Sequence, residues 1–304
     1  MKFVSIVGFL CEGINVSHLA PKVAKALQVS INDAASGMTD EYFWGYGELD
    51  KDALRSKAIS GLVNLSGDEF KDQMKGIFGD IGVPKAVIAY RRRMVPDAYV
   101  DGLRVVVNYK LLNAIIEPLV ADAIDHRDAG VDTIRSDRKG KWSKEIDYMA
   151  EVIVHELVHV LQHWKQKGRK DGGIEYRSYL SKSKQGFYDA VAQLTDGNAA
   201  GKITSAQEQE IQRMYLASPQ ELPAFAHQHA LKLIRMLGLN ATGDELGLTR
   251  GEVMAEVKEA LPLILDKTFA EPRNKVEAGV RKRYVKLVYT EVMHYIDTVV
   301  FPKV

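Results

Sequence analysis

The sequence predicts an α+β protein, mostly α-helical, with one small antiparallel β-sheet preceding a chemically loaded helix. Three observations carry this. Apolar residues recur at three- and four-residue spacing along most of the 304 residues. Only residues 84–110 show runs of strand-forming residues. The balance of 46% hydrophobic to 27% charged residues is that of a folded globular chain and excludes disorder as the main state. With 41 Lys+Arg against 40 Asp+Glu the formal charge is +1, so no global field draws the chain to nucleic acid or to an anionic membrane. The single cysteine, Cys11, excludes an internal disulfide framework and a cysteine-based zinc knuckle. No period of 20–50 residues repeats, which removes solenoids and propellers.

Three regions are expected: a helical residues 1–80, a central 81–240 carrying the sheet and the chemistry, and a helical 241–304. Residues 1–11 join one lysine to a short apolar run that stops at Glu12 without a small-residue cleavage site. We read it as a buried strand or helix start, with export as the lesser alternative, and expect a cytoplasmic protein, or a virion protein if the chain is phage-encoded. No window approaches the ~20 apolar residues of a membrane span. Leu19, Val23 and Leu27 mark a helix near 18–28, and Leu54, Ile59 and Leu62 mark another. Ser66-Gly67-Asp68-Glu69 has the spacing of a capping box and predicts a short helix beginning there. The aromatic run Tyr42 to Tyr46 reads as a satellite core.

Ala86–Tyr90, Tyr99–Val100 and Leu103–Val107 read as strands, with Asp101-Gly102 as a two-residue hairpin turn between the last two. Arg91-Arg92-Arg93 beside them suits an edge strand blunted by solvated charge. Residues 128–141, rich in Arg, Asp and Gly, read as a loop. Helix starts are expected at Thr204, Ser218 and Thr249, a stop at Gly238, and a boundary at 240–244. The last helix, about 272–299, carries one apolar stripe through Val276, Val280, Tyr284, Val288, Val292 and Ile296.

One motif carries chemistry: His155-Glu156-Leu157-Val158-His159. It lies within Ile146, Met149, Val152, Ile153, Leu157, Val160, Leu161 and Trp164, a helical apolar pattern with Ser143 as the expected N-cap. Residues four apart share a helix face, so the two imidazoles converge on one ion at zinc's distance of about 2.0–2.1 Å. Glu156 then projects beside the ion, where it can take a proton from water without ligating. Composition alone would give far fewer than one such match in this length. The bland alternative is two polar histidines on a half-exposed face. His163 lies about 12 Å along the axis from His155, too far to share its ion on a continuous helix.

A catalytic zinc usually takes three protein ligands. Glu221, in the stretch Tyr215 to Ala226, is the best third donor, because Ala224 and Ala226 allow a close helix approach. Its competing role is the far end of a Ser218–Glu221 capping box. Glu175, His227 and Asp189 are the fallback ligands. Tyr215, His227 and His229 are candidates to face a developing negative charge.

The motif His155 to Gln162, followed by Tyr-x(3)-Pro-x-Glu-x(2)-Ala-x-Ala from Tyr215 to Ala226, resembles zincin-type metallopeptidases. Within these it is similar to the gluzincin-like group, which includes prokaryotic and phage proteins. The resemblance covers at most residues 85–235. It implies that His155, His159 and Glu221 bind Zn2+, that Glu156 is the general base, and that a peptide or protein is the substrate. It also implies that the strand Leu103–Asn108 is the edge strand on which an extended peptide adds. Two features depart from the group's usual pattern: the 62-residue separation of His159 and Glu221, and Phe225 where an acidic residue is expected four positions after the third ligand.

A structural or assembly protein, such as a virion component that keeps the fold without catalysis, is the alternative from another class. Residues 1–80 and 241–304 would then be partner surface. Nucleic-acid binding through Arg91–Arg93 and Lys165–Lys170 is disfavoured by the balanced charge.

Overall fold

In the computed structural model, which describes residues 16–38, 50–92, 96–128, 141–167, 221–239, 242–268, 272 and 275–302, helices dominate and one three-stranded sheet supplies the β component. The α+β class expected from the sequence is therefore the one observed. Two compact units share the described residues: Leu19–Val160, and the stretches Met1–His18 with Leu161–Val304.

In the first unit, α1 (Ala20–Ser36) and α2 (Lys51–Asp80) pack along one another. Leu19, Val23 and Leu27 are buried as their spacing predicted. The helix expected to begin at Ser66 does not. Asp50 caps α2 by accepting from the Asp52 amide at 3.0 Å, and the helix runs unbroken for 30 residues. Ser66 sits in its interior, where its hydroxyl donates to the Leu62 carbonyl one turn back. The capping-box spacing was outweighed by a buried face, Leu54, Ala58, Leu62, Phe70, Met74 and Phe78, that continues through it.

Strands β1 (Val87–Arg91), β2 (Ala98–Asp101) and β3 (Arg104–Asn108) form a sheet in the order β1-β3-β2. β3 pairs antiparallel with β2, from Ala98↔Val107 to Asp101↔Arg104, but parallel with β1, from Val87↔Arg104 to Arg91↔Asn108. The sheet is thus mixed where an antiparallel one was expected, and the strand expected at the edge is central. The physical reason lies in Val105, Val106 and Val107, which are all at most 5% exposed. A strand buried on both faces reads as a continuous apolar run and belongs between neighbours. The hairpin turn is Gly102-Leu103, one residue later than expected, with Gly102 at φ +64°.

Asn108 ends β3 and starts α3 (Tyr109–Asp128): its side chain accepts from the Lys110 amide at 3.1 Å and donates to the Pro96 carbonyl at 3.2 Å. Helix α4 (Lys141–Lys167) follows, with Ile146, Met149, Ile153, Val154, Leu157 and Val158 buried. Ser143, the expected N-cap, lies inside its first turn.

In the second unit, α5 (Glu221–Met236) packs against α8 (Lys275–Tyr295), and α7 (Arg250–Thr268) against α5. Gly238 at φ +66° follows the end of α5, as expected. Thr242 and Glu245 make a reciprocal capping box on the short α6 (Gly243–Leu246). Thr249 and Glu252 do the same for α7, at the start the sequence predicted. Tyr284, Val288, Val292 and Ile296 of the last stripe are fully buried within this unit, so they offer no free face. Among the described residues, no helix is long and apolar enough to cross a membrane.

Candidate metal centre

Helix α4 places His155 and His159 one turn apart on the same face, half-buried, while Leu157 and Val158 between them are fully buried. The two rings stand edge to face, with centroids 5.2 Å apart and planes at 72°. Glu221 is the first residue of α5. One ligand atom from each of His155, His159 and Glu221 lies within 4.8 Å of the other two. Glu221, the third donor expected from the sequence, therefore stands near the two histidines.

Do these residues fit an ion? Three points at most 4.8 Å apart enclose a centre about 2.8 Å or less from each, against zinc's ligand distances of about 2.0–2.2 Å. Movements under about 1 Å, within reach of side-chain rotation, close that gap. Two imidazole nitrogens and one carboxylate oxygen form the His2Glu donor set that suits zinc and leaves a position open. The Nδ1 of His155 and the Oε2 of Glu221 are both withdrawn from solvent. Glu156 is 9% exposed, a carboxylate held in a mostly dry setting directly beside the first ligand.

His227, named from the sequence both as a fallback ligand and as an oxyanion candidate, has other partners. It follows Glu221 by six residues, which turns it about 120° away around the helix. It is 3% exposed, and its Nδ1 lies 2.7 Å from Oε2 of Glu291 and 3.3 Å from Oγ of Ser17. His229 pairs through Nδ1 with the Tyr284 hydroxyl, and its ring stacks on Phe225 at 6.5 Å. Phe225, in place of an acidic residue, therefore supports a ring. Tyr215, Glu175 and Asp189 lie outside the described residues, as do Arg93 and the aromatic run at 42–46. His163 lies on α4.

Sequence reasoning missed a polar link at the start of α4. Tyr148, two turns before His155 on the same face, donates to Oδ2 of Asp97 at 2.6 Å. Oδ1 of Asp97 meets Nζ of Lys110 at 2.5 Å. Burial pushes the Asp97 carboxyl up, but the bonds from Lys110 and Tyr148 and the lysine's charge outweigh it and hold it below the usual range. The same hydrogen bond, with burial and the nearby carboxylates, pushes the Tyr148 hydroxyl up to about 12. The link ties α4 to the residue before β2. Its sequence signal was Tyr148 at i−7 from His155, a polar ring on the histidine face.

Comparison of the chain with protein-family profiles, with curated proteins and with solved structures finds no match. What the structure itself adds is a His155, His159 and Glu221 group that could hold a metal ion.

Proposed function

We propose that this protein is a zinc-dependent metallopeptidase, a hydrolase that cleaves peptide bonds in a peptide or protein substrate. The observation that carries the reading is the gathering of His155, His159 and Glu221 donors within 4.8 Å, with Glu156 next to the first of them. His155, His159 and Glu221 would hold the ion. Bound zinc supplies Lewis acidity, which makes water a competent nucleophile near neutral pH. Glu156 takes a proton from the attacking water and passes it to the departing amine nitrogen, as a buried carboxylate beside the ligand set can do. The mostly dry surroundings of Glu156 strengthen its hold on charged partners during the reaction.

Substrate alignment falls to β2. Its outer edge pairs with no other strand among the described residues, and the Tyr148–Asp97 link ties its start to α4. An extended peptide can add there as another strand through main-chain hydrogen bonds. This moves the alignment role away from Leu103–Asn108, which is paired on both sides.

The test is metal content and peptide hydrolysis by the purified chain and by Glu156→Gln. The reading expects about one zinc per chain in both proteins and cleavage by the wild type alone. Wild-type protein without stoichiometric zinc, or a variant that cleaves as fast, would refute it.

A further inference from the structure

Ser17, His227 and Glu291 form a buried polar knot in the second unit, at 0%, 3% and 4% exposure. They come from three separate elements: the 3-10 turn Ser17–Leu19, helix α5 and helix α8. The Ser17 hydroxyl donates to Oε2 of Glu291 at 2.7 Å. His227 Nδ1 lies 2.7 Å from the same oxygen, which requires the imidazole proton to sit on Nδ1 and to be donated there. One carboxylate oxygen therefore receives two donors, one 274 residues away in the chain and the other 64. No step of the proposed hydrolysis uses this knot.

We propose that the Ser17–His227–Glu291 knot is a positioning device that fixes the axial rotation of α5, and through it the place of Glu221 in the metal site. The inference rests on the metal-site reading. Glu221 stands at the very start of α5, about 9 Å along the axis from His227. A glutamate carboxylate lies about 6 Å off the helix axis, so a 10° rotation of α5 displaces it by about 1 Å. Ligation tolerates far less than that, since productive sites are held within about 0.5 Å.

Besides one further polar pair, His229 with the Tyr284 hydroxyl at a half-buried position, the buried side chains of the two packed helices are mostly apolar: Ala224, Ala230, Leu231 and Ile234 on α5, Val288 and Val292 on α8. Apolar contacts of this kind repack across small rotations at little cost. A buried hydrogen-bonded set satisfied in only one alignment does not, which is how single polar residues fix register in helical assemblies. Groups that hydrogen-bond a metal ligand directly commonly govern affinity by about 10–100-fold, and the knot acts on Glu221 at longer range, through the rotation of its helix.

The experiment is zinc affinity by competition with a chromophoric chelator, together with visible spectra of the Co2+-loaded protein, for wild type, Glu221→Ala, Glu291→Ala, Glu291→Gln, Ser17→Ala and Val257→Ala. Glu291→Ala should weaken zinc binding by roughly tenfold or more, and its cobalt spectrum should move toward that of Glu221→Ala. Glu291→Gln keeps an oxygen that can accept from both Ser17 and His227, so it should restore affinity to within about threefold. Val257→Ala opens a cavity on α7, which supplies none of the knot's three residues; it should lower the Tm and leave zinc affinity and the cobalt spectrum unchanged. Glu291→Ala with wild-type affinity and spectrum overturns the positioning role while leaving the metal site standing. Equal loss in Val257→Ala also overturns it, because general destabilisation would then explain the effect. If Glu291→Ala does not fold, Ser17→Ala decides: a loss of roughly twofold to tenfold supports the proposal, and none refutes it. A wild type that binds neither zinc nor cobalt removes the metal site and the positioning role together.

Discussion

Metal-linked melting of single-residue variants separates the ligands from the base. Anything that binds only the folded state stabilises it by RT ln(1 + [L]/Kd), about 2.7 kcal/mol when free zinc is one hundred times Kd. At about 2–4 °C per kcal/mol for a chain of this size class, wild type should melt roughly 5–11 °C higher with zinc than after dialysis against a chelator. His159→Ala or Glu221→Ala leaves two donors of the three that meet within 4.8 Å. If affinity falls about a hundredfold, the same zinc concentration stabilises by only about 0.4 kcal/mol, a shift of about 1 °C. Glu156 lies beside the cluster but is not in it, so Glu156→Gln should keep the full wild-type shift. Scanning calorimetry of the four proteins, each with zinc and with chelator, reads this directly. A Glu156→Gln protein that loses the shift as His159→Ala does would show that the base and ligand roles are assigned wrongly. A wild type with one Tm in both buffers would show that no ion is held.

Three further perturbations test the fold around the site. Tyr148→Phe removes one of the bonds that hold the Asp97 carboxyl below its ordinary range. The stability this carboxyl contributes is complete above its unfolded pKa of about 3.9 and is lost as pH falls through the lower folded value. The variant should therefore titrate Asp97 at higher pH by carboxyl NMR and lose its tyrosine transition near 12, and an unmoved Asp97 curve would count against the link. Tyr90 has a buried hydroxyl with no protein partner, and burial raises its pKa well above the usual value. Tyr90→Phe should then be neutral or stabilising, by up to about 1–3 kcal/mol in chemical denaturation, and a clear loss would mean that the hydroxyl is satisfied. Gly243 is buried where a Cβ would overlap the Phe301 ring. Gly243→Ala should cost about 1–3 kcal/mol, and adding Phe301→Leu should recover much of it; equal stability of both variants would discount the contact.

How much of the fold was legible depended on whether a signal was local or relational. Caps at Thr249 and the stop at Gly238 were readable because each is satisfied within four residues of chain. The Ser66 capping box failed for the same reason it looked convincing. It is a local pattern, and the decision between a cap and an interior serine is made by the elements packed along α2, namely α1, α3 and β1. Strand existence followed from composition, but the parallel pairing of β1 with β3 did not. Nothing in Val87–Arg91 states which neighbour it will meet, whereas the unbroken Val105–Val107 run did signal a central strand and was read as an edge.

The candidate site divides along the same line. His155, Glu156 and His159 are fixed by one turn of helix, so their mutual placement is legible from spacing alone. Glu221 required a guess about which distant helix start approaches that face, and the small Ala224 and Ala226 made it the best candidate. His227 shows the limit of such reasoning: a histidine six residues beyond Glu221 is close in sequence yet turned away from it by the helical repeat. The clue to its true partner was present elsewhere. Glu291 falls between Val288 and Val292 on a stripe that is otherwise buried and apolar, and a carboxylate in that position demands donors. Ser17 and His227 are those donors, 2.7 Å and 2.7 Å from one oxygen. An ionisable residue inside an apolar stripe thus points to a buried polar contact as surely as an HExxH spacing points to a cation. Here the helix that carries one of those donors, α5, is also the one that begins with Glu221.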